Sequence, residues 1–214
     1  MIMDIKGAIF DLDGTLLDSM RMWRFVCSDY LRSIGITPSE NLHNELRHMY
    51  LWEACDYLCK NYNTNRDSEQ VMADIKQHIA DFYENKAQLK EGVPEFLKKL
   101  KADGIRICLA TATERNLLIP ALTRLGVLNY FEEIFTCYEL NTRKTEPLIY
   151  NTAHKFLGTP IENTYVFEDV FTAAQTAKNA GFKVVGVYDS MEDVKEKELR
   201  KISDVYIETF EELI

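Results

Sequence analysis

Asp11 and Asp13 stand two residues apart behind a short apolar run, and Gly14 follows at once. Thr111 ends a second such run, Lys144 lies in the polar stretch after a third, and Glu168 and Asp169 close a fourth. Carboxylates gathered at one place repel one another unless a cation holds them. Hard oxygen ligands without His or Cys select Mg2+ over zinc or copper. One lysine and one threonine hydroxyl beside such an ion suit a phosphoryl group, whose equatorial oxygens need several positive or donor contacts. Asp11 then has the chemistry to attack phosphorus and become an aspartyl phosphate. Asp13 is placed to protonate the leaving oxygen and later to activate water. Gly14 lets the chain turn past the phosphate without a Cβ in the way.

Taken singly, these residues have plainer readings. Asp-Gly after a strand is an ordinary turn, Thr111 beside Thr113 an ordinary cap, and Lys144 a solvated lysine. What sets them apart is the elements that carry them. The first run, Ile5–Phe10, reads as a strand. From Asp18 to about Lys90 the period is helical, rich in aromatics and charge, and three or four helices fit. One runs over Ser19–Ser33 and stops near Gly35. A second starts at Thr37-Pro38-Ser39-Glu40, where a cap residue precedes an early proline, and a third is capped by Asp67 or Ser68. After Gly92-Val93-Pro94 strands and helices alternate. Strands are expected at Ile105–Ala110, Ile134–Thr136, Tyr165–Phe167 and Lys183–Val187, with an edge strand at Asp204–Ile207.

That alternation implies an α/β fold, a Rossmann-like parallel sheet covered on both faces, with a helical lobe inserted after the first strand. The expected division is a core from 1–17 and 91–214 and a helical cap from 18–90. Ligands of such sheets bind at the carboxyl ends of the strands, where all of the candidate residues fall.

Composition narrows the partners. A chain of 214 residues with 46% hydrophobic content can bury a core unaided, and a net charge of −9 argues against nucleic acid and anionic membranes. Five cysteines, without a Cys-x-x-Cys pair, read as buried free thiols of a reducing compartment. With no signal peptide or spanning run in view, a cytoplasmic protein is expected, monomeric or a small homo-oligomer.

Asp11-Leu12-Asp13-Gly14-Thr15-Leu16 resembles the first motif of the haloacid dehalogenase superfamily, in its phosphatase branch. Leu109-Ala110-Thr111-Ala112-Thr113 looks like the second, Arg143-Lys144-Thr145-Glu146-Pro147 the third, and Val166-Phe167-Glu168-Asp169 the fourth. The helical cap between the first two motifs is similar to that of the phosphoglucomutase-like subfamily. Val170 and Phe171 stand where the fourth motif commonly has Ser and a nearby Gly, and Thr145 where the third usually has Pro. The resemblance implies that Asp11 is nucleophile and metal ligand and that Asp13 is the acid/base, with its carbonyl on the metal. It implies that Thr111 and the Ala112 amide bind phosphate and that Lys144 neutralises charge. Asp169 is then the third protein ligand of Mg2+, and Glu168 a ligand or the partner of one. The substrate is a small phosphorylated metabolite, and cap closure over it, with hinges at Gly92 and Leu16-Leu17, excludes water.

In the cap, Trp23, Arg47, His48 and Trp52 are the substrate-contact candidates, Arg47 and His48 foremost. Other chemistries of the superfamily fit less well. Phosphosugar mutases usually carry Val where Thr15 stands and a His where Trp23 aligns. A phosphonatase needs a Schiff-base lysine, and Lys60 and Lys76 read as surface residues. A dehalogenase would not keep Asp13. A non-catalytic binding protein of this fold should have lost the nucleophile or a ligand, and none is lost.

Overall fold

The computed structural model describes residues 4–46, 49, 51–191 and 195–214. Contacts divide the chain into two compact units, residues up to Met20 with Ala87–Ile214, and Arg21–Lys86.

The first unit is a six-stranded sheet in which every paired neighbour is parallel. Its strands are β1 (Gly7–Phe10), β2 (Arg106–Thr111), β3 (Glu133–Thr136), β4 (Thr164–Glu168), β5 (Lys183–Val187) and β6 (Val205–Ile207), in the order β3-β2-β1-β4-β5-β6. The chain builds outward from β1 through β2 to β3, then crosses to β4 on the other side. The order therefore reverses between β1 and β4, and in open α/β sheets ligands bind beyond the carboxyl ends of the strands at such a switch.

Both faces of β1 and β4 are buried, so they are apolar runs, whereas β3 alternates half-buried and buried positions. Ile9, Cys108, Val166 and Val184 pack with α7 (Leu148–Leu157), α8 (Phe171–Asn179) and α9 (Glu196–Ile202). On the opposite face Phe10 stacks on Phe167 with ring centroids 4.3 Å apart, and Phe96 of α5 (Val93–Ala102) and Phe210 complete the cluster. Burial of each ring contributes about 2 kcal/mol, and the stacking adds about 1 kcal/mol more. These rings lie one residue behind Asp11 and Glu168, so the packing fixes the strand ends. The remaining helix of this unit, α6 (Arg115–Arg124), follows β2.

The second unit is helical: the greater part of α1 (Met20–Ser33), then α2 (Leu42–Leu46), α3 (Leu51–Asn61) and α4 (Ser68–Asn85). Val71, Ile75, Ile79 and Tyr83 recur every fourth residue along α4 and are buried, which gives it one apolar stripe. Asp67 caps it through a capping box with Gln70, as the sequence suggests. The expected helix start at Thr37–Glu40 is not one. Ser39 takes the Asn41 amide on its hydroxyl, and α2 begins only at Leu42. Among the described residues no helix is long and apolar enough to cross a membrane, and all five cysteines are free thiols.

Candidate active site

The register brings the site together. Phe10 pairs with Phe167 across β1 and β4, and the Asp11 amide donates to the Phe167 carbonyl at 3.0 Å. The next residues along, Asp11 and Glu168, therefore end adjacent strands at the switch point. Asp11, Glu168 and Asp169 are all buried, and each offers an oxygen within 4.8 Å of the others.

Lys144 reaches this cluster from the loop between β3 and α7. Its ammonium bonds Asp11 Oδ1, and bonds Glu168 Oε1 at 2.6 Å. Burial by itself would lower the lysine's pKa, but the Asp11 and Glu168 charges outweigh it and hold the ammonium above its ordinary value. Burial raises Glu168 to about 7, opposed by Lys144 and assisted by the Asp11 charge. Asp169 lies well above the usual carboxylate range, through burial first and then the charges of Asp11 and Glu168. One ammonium does not balance three carboxylates, and the excess negative charge is what a second cation would meet.

The fit to a divalent cation rests on particular atoms. Glu168 Oε2 and Asp169 Oδ2 are buried and have no hydrogen-bond partner among the described residues. A buried carboxylate oxygen left so is expensive unless an ion takes it up. Gly14 has φ +78°, and a Cβ there would overlap the Asp169 carboxylate, so a side chain would close the space beside Oδ2. The donor set is all oxygen, which suits Mg2+. The residues present fit that ion.

Asp13 faces a different set of groups. Ser19 donates to its Oδ1 at 2.6 Å, and Thr113 to its Oδ2 at 2.5 Å. Thr113 also donates its amide to the Thr111 hydroxyl at 3.0 Å. Thr111 is not the helix cap that its spacing allows, since the N-cap of the following helix is Glu114; its hydroxyl closes a local turn with Thr113, which joins it to Asp13. Ala112, between them, is exposed at the end of β2. Of the lobe candidates, Trp23 donates its indole N–H to the Tyr83 hydroxyl at 3.1 Å, and Trp52 is exposed. Arg47 and His48 lie outside the described residues. Lys60 and Lys76 are exposed.

Three contributors are not evident from residue spacing. Thr15, fully buried, shares its hydroxyl between Asp11 Oδ2 at 3.3 Å and Asp169 Oδ1 at 3.2 Å. Tyr150 donates its hydroxyl to Glu168 Oε1 at 2.7 Å. Ser19 holds Asp13. Thr15 directly follows the Asp-x-Asp-Gly run, but its residue type alone does not name its acceptors. Tyr150 reads in sequence as a core aromatic of a helix, and nothing flags its hydroxyl.

The family model described as haloacid dehalogenase-like hydrolase matches residues 8–187. The phosphorylated carbohydrates phosphatase of Thermotoga maritima is 26% identical over 192 residues, covering 89% of each chain. A phosphoglycolate phosphatase of Rhodobacter capsulatus is 30% identical over 183 residues, 83% of this chain and 81% of its own. Among solved structures, CbbY of Rhodobacter sphaeroides in complex with phosphate superposes with a TM-score of 0.76 at 22% identity, covering 98% of this chain and 96% of its own. The parallel sheet with its switch between β1 and β4, and a family match spanning all four motifs, lead to one conclusion: the chain belongs to the haloacid dehalogenase-like hydrolase family.

Proposed function

We propose that this hydrolase is a Mg2+-dependent phosphatase that cleaves a small phosphomonoester through an aspartyl phosphate on Asp11. The observation that carries the reading is the single ammonium of Lys144 shared by Asp11 and Glu168, beside two buried carboxylate oxygens without partners. The names of the relatives support the substrate class, since both are phosphatases of small phosphorylated compounds.

Asp11, Glu168 and Asp169, with the main-chain carbonyl of Asp13, would hold the ion. When bound, Mg2+ supplies positive charge against the phosphoryl oxygens and removes their repulsion from Asp11. Asp11 attacks phosphorus in line with the ester oxygen, and the P–O ester bond breaks as the Asp–phosphorus bond forms. Lys144 neutralises Asp11 and the transferring oxygens. The Thr111 hydroxyl and the Ala112 amide donate to the phosphate, at the end of the strand next to β1. Asp13 gives its proton to the departing alkoxide. It then takes a proton from the water that hydrolyses the aspartyl phosphate, which releases inorganic phosphate and restores Asp11.

Arg47 and His48 remain the proposed substrate contacts of the lobe, and the proposed setting is the cytoplasm. The test compares wild type with Asp11→Asn on a generic phosphoester, with Mg2+ and with chelator. Turnover by wild type with Mg2+ alone is expected; equal turnover by both proteins overturns the reading. A panel of sugar phosphates, nucleotides and small phosphorylated acids then identifies the substrate.

A further inference from the structure

The two oxygens of Glu168 have unlike surroundings. Oε1 accepts the Lys144 ammonium at 2.6 Å and the Tyr150 hydroxyl at 2.7 Å, whereas Oε2 is buried without a hydrogen-bond partner. Asp169 repeats the pattern, with Oδ1 taking the Thr15 hydroxyl at 3.2 Å and Oδ2 left without a partner. Each carboxylate is therefore held on one oxygen and offers the other alone.

Tyr150 is built for this. It lies in the first turn of α7, fully buried, with its ring against Phe182. A buried phenol hydroxyl needs a partner, and here the partner is Glu168. Its ring is fixed by packing, so the hydroxyl marks a fixed point, unlike the long flexible stem of Lys144.

The distinction matters for which ion is taken. Ca2+ gathers six to eight oxygens at about 2.3–2.6 Å and often takes both oxygens of one carboxylate, whereas Mg2+ needs near-octahedral, single-oxygen ligands at about 2.0–2.1 Å. We infer that Tyr150 is a positioning residue for metal selectivity: by holding Oε1, its hydroxyl keeps Glu168 a one-oxygen ligand and favours Mg2+ over Ca2+. The inference rests on the proposed reading that Glu168 faces the ion. Without the hydroxyl, only the lysine restrains Oε1, and the carboxylate is free to turn both oxygens inward.

The test is calorimetric titration of Mg2+ and of Ca2+ into wild type and Tyr150→Phe without substrate, with thermal melts of the metal-free proteins. Ala153→Gly, which trims the same helix without removing a hydroxyl, is the stability control. In Tyr150→Phe the ratio of the Ca2+ to the Mg2+ dissociation constant should fall about fivefold, the worth of about one hydrogen bond. Ala153→Gly should lower the melting temperature and leave that ratio unchanged. An unchanged ratio in Tyr150→Phe, or an equal shift in the control, overturns the inference while the function reading stands. Wild type that takes up no Mg2+ overturns both.

Discussion

Thr113 donates its hydroxyl to Asp13 at 2.5 Å although the two are 100 residues apart in sequence. With Ser19 on the other oxygen at 2.6 Å, the carboxylate is held from two sides, in one orientation. In the proposed mechanism Asp13 protonates the leaving group, and such a donor must be placed as well as protonated, because catalysis of this kind depends on geometry first. Ser19→Ala and Thr113→Val should each lower kcat about tenfold, with little change in Mg2+ affinity. Steady-state kinetics beside a Mg2+ titration checks this. Wild-type kcat in both variants would show that Asp13 needs neither hydroxyl.

Lys144 is the only cation for which the structure shows a hydrogen bond to Asp11 or Glu168 among the described residues. Removing one partner of a buried ion pair costs about 3–5 kcal/mol, since the other charge is left uncompensated. Lys144→Met should therefore melt well below wild type in chelator, and Mg2+ should raise its melting temperature by more than it raises that of wild type. Equal melting temperatures in chelator would mean that the ammonium does not stabilise the cluster.

The same carboxylates make stability depend on pH. Burial raises Glu168 from an ordinary 4.5 to about 7. A group whose folded value exceeds its unfolded one contributes stability that is complete below the unfolded value and lost as pH rises through the folded one. In chelator, wild type should therefore lose stability relative to Glu168→Gln between about pH 5 and pH 8, by at most about 3 kcal/mol. In the proposed function Mg2+ binds the deprotonated carboxylates, so its apparent affinity should rise across the same window. Urea unfolding at the two pH values, with chelator and with Mg2+, measures both slopes. A wild type that gains on Glu168→Gln as pH rises in chelator would contradict the assigned shift.

Much of this was legible before the structure, for a physical reason. A strand buried on both faces must be apolar throughout, so β1 and β4 announce themselves and Asp11 and Glu168 mark where they stop. Which strand lies beside β1 is a matter of long-range pairing, and the register of Phe10 with Phe167 leaves no local signature. Thr15 and Tyr150 escape notice for the same reason, since their acceptors Asp169 and Glu168 lie 154 and 18 residues away, while Ser19 reaches Asp13 across six residues in a turn whose shape spacing alone does not define. Helix starts misled where a side chain offered the backbone another option, as Ser39 does for Asn41. The short α9 (Glu196–Ile202) was not expected, because charged residues fill most of it and only Leu199 is buried.

In the proposed mechanism Asp11 carries the phosphoryl group. Rapid acid quench of enzyme turning over a phosphomonoester with Mg2+, followed by peptide mass analysis, tests it directly. A peptide containing Asp11 heavier by one phosphoryl group, absent in Asp11→Asn and more abundant in Asp13→Ala, whose dephosphorylation lacks its base, is the predicted result. Turnover with no phosphorylated Asp11 at any quench time, or the added mass on another residue, would contradict it.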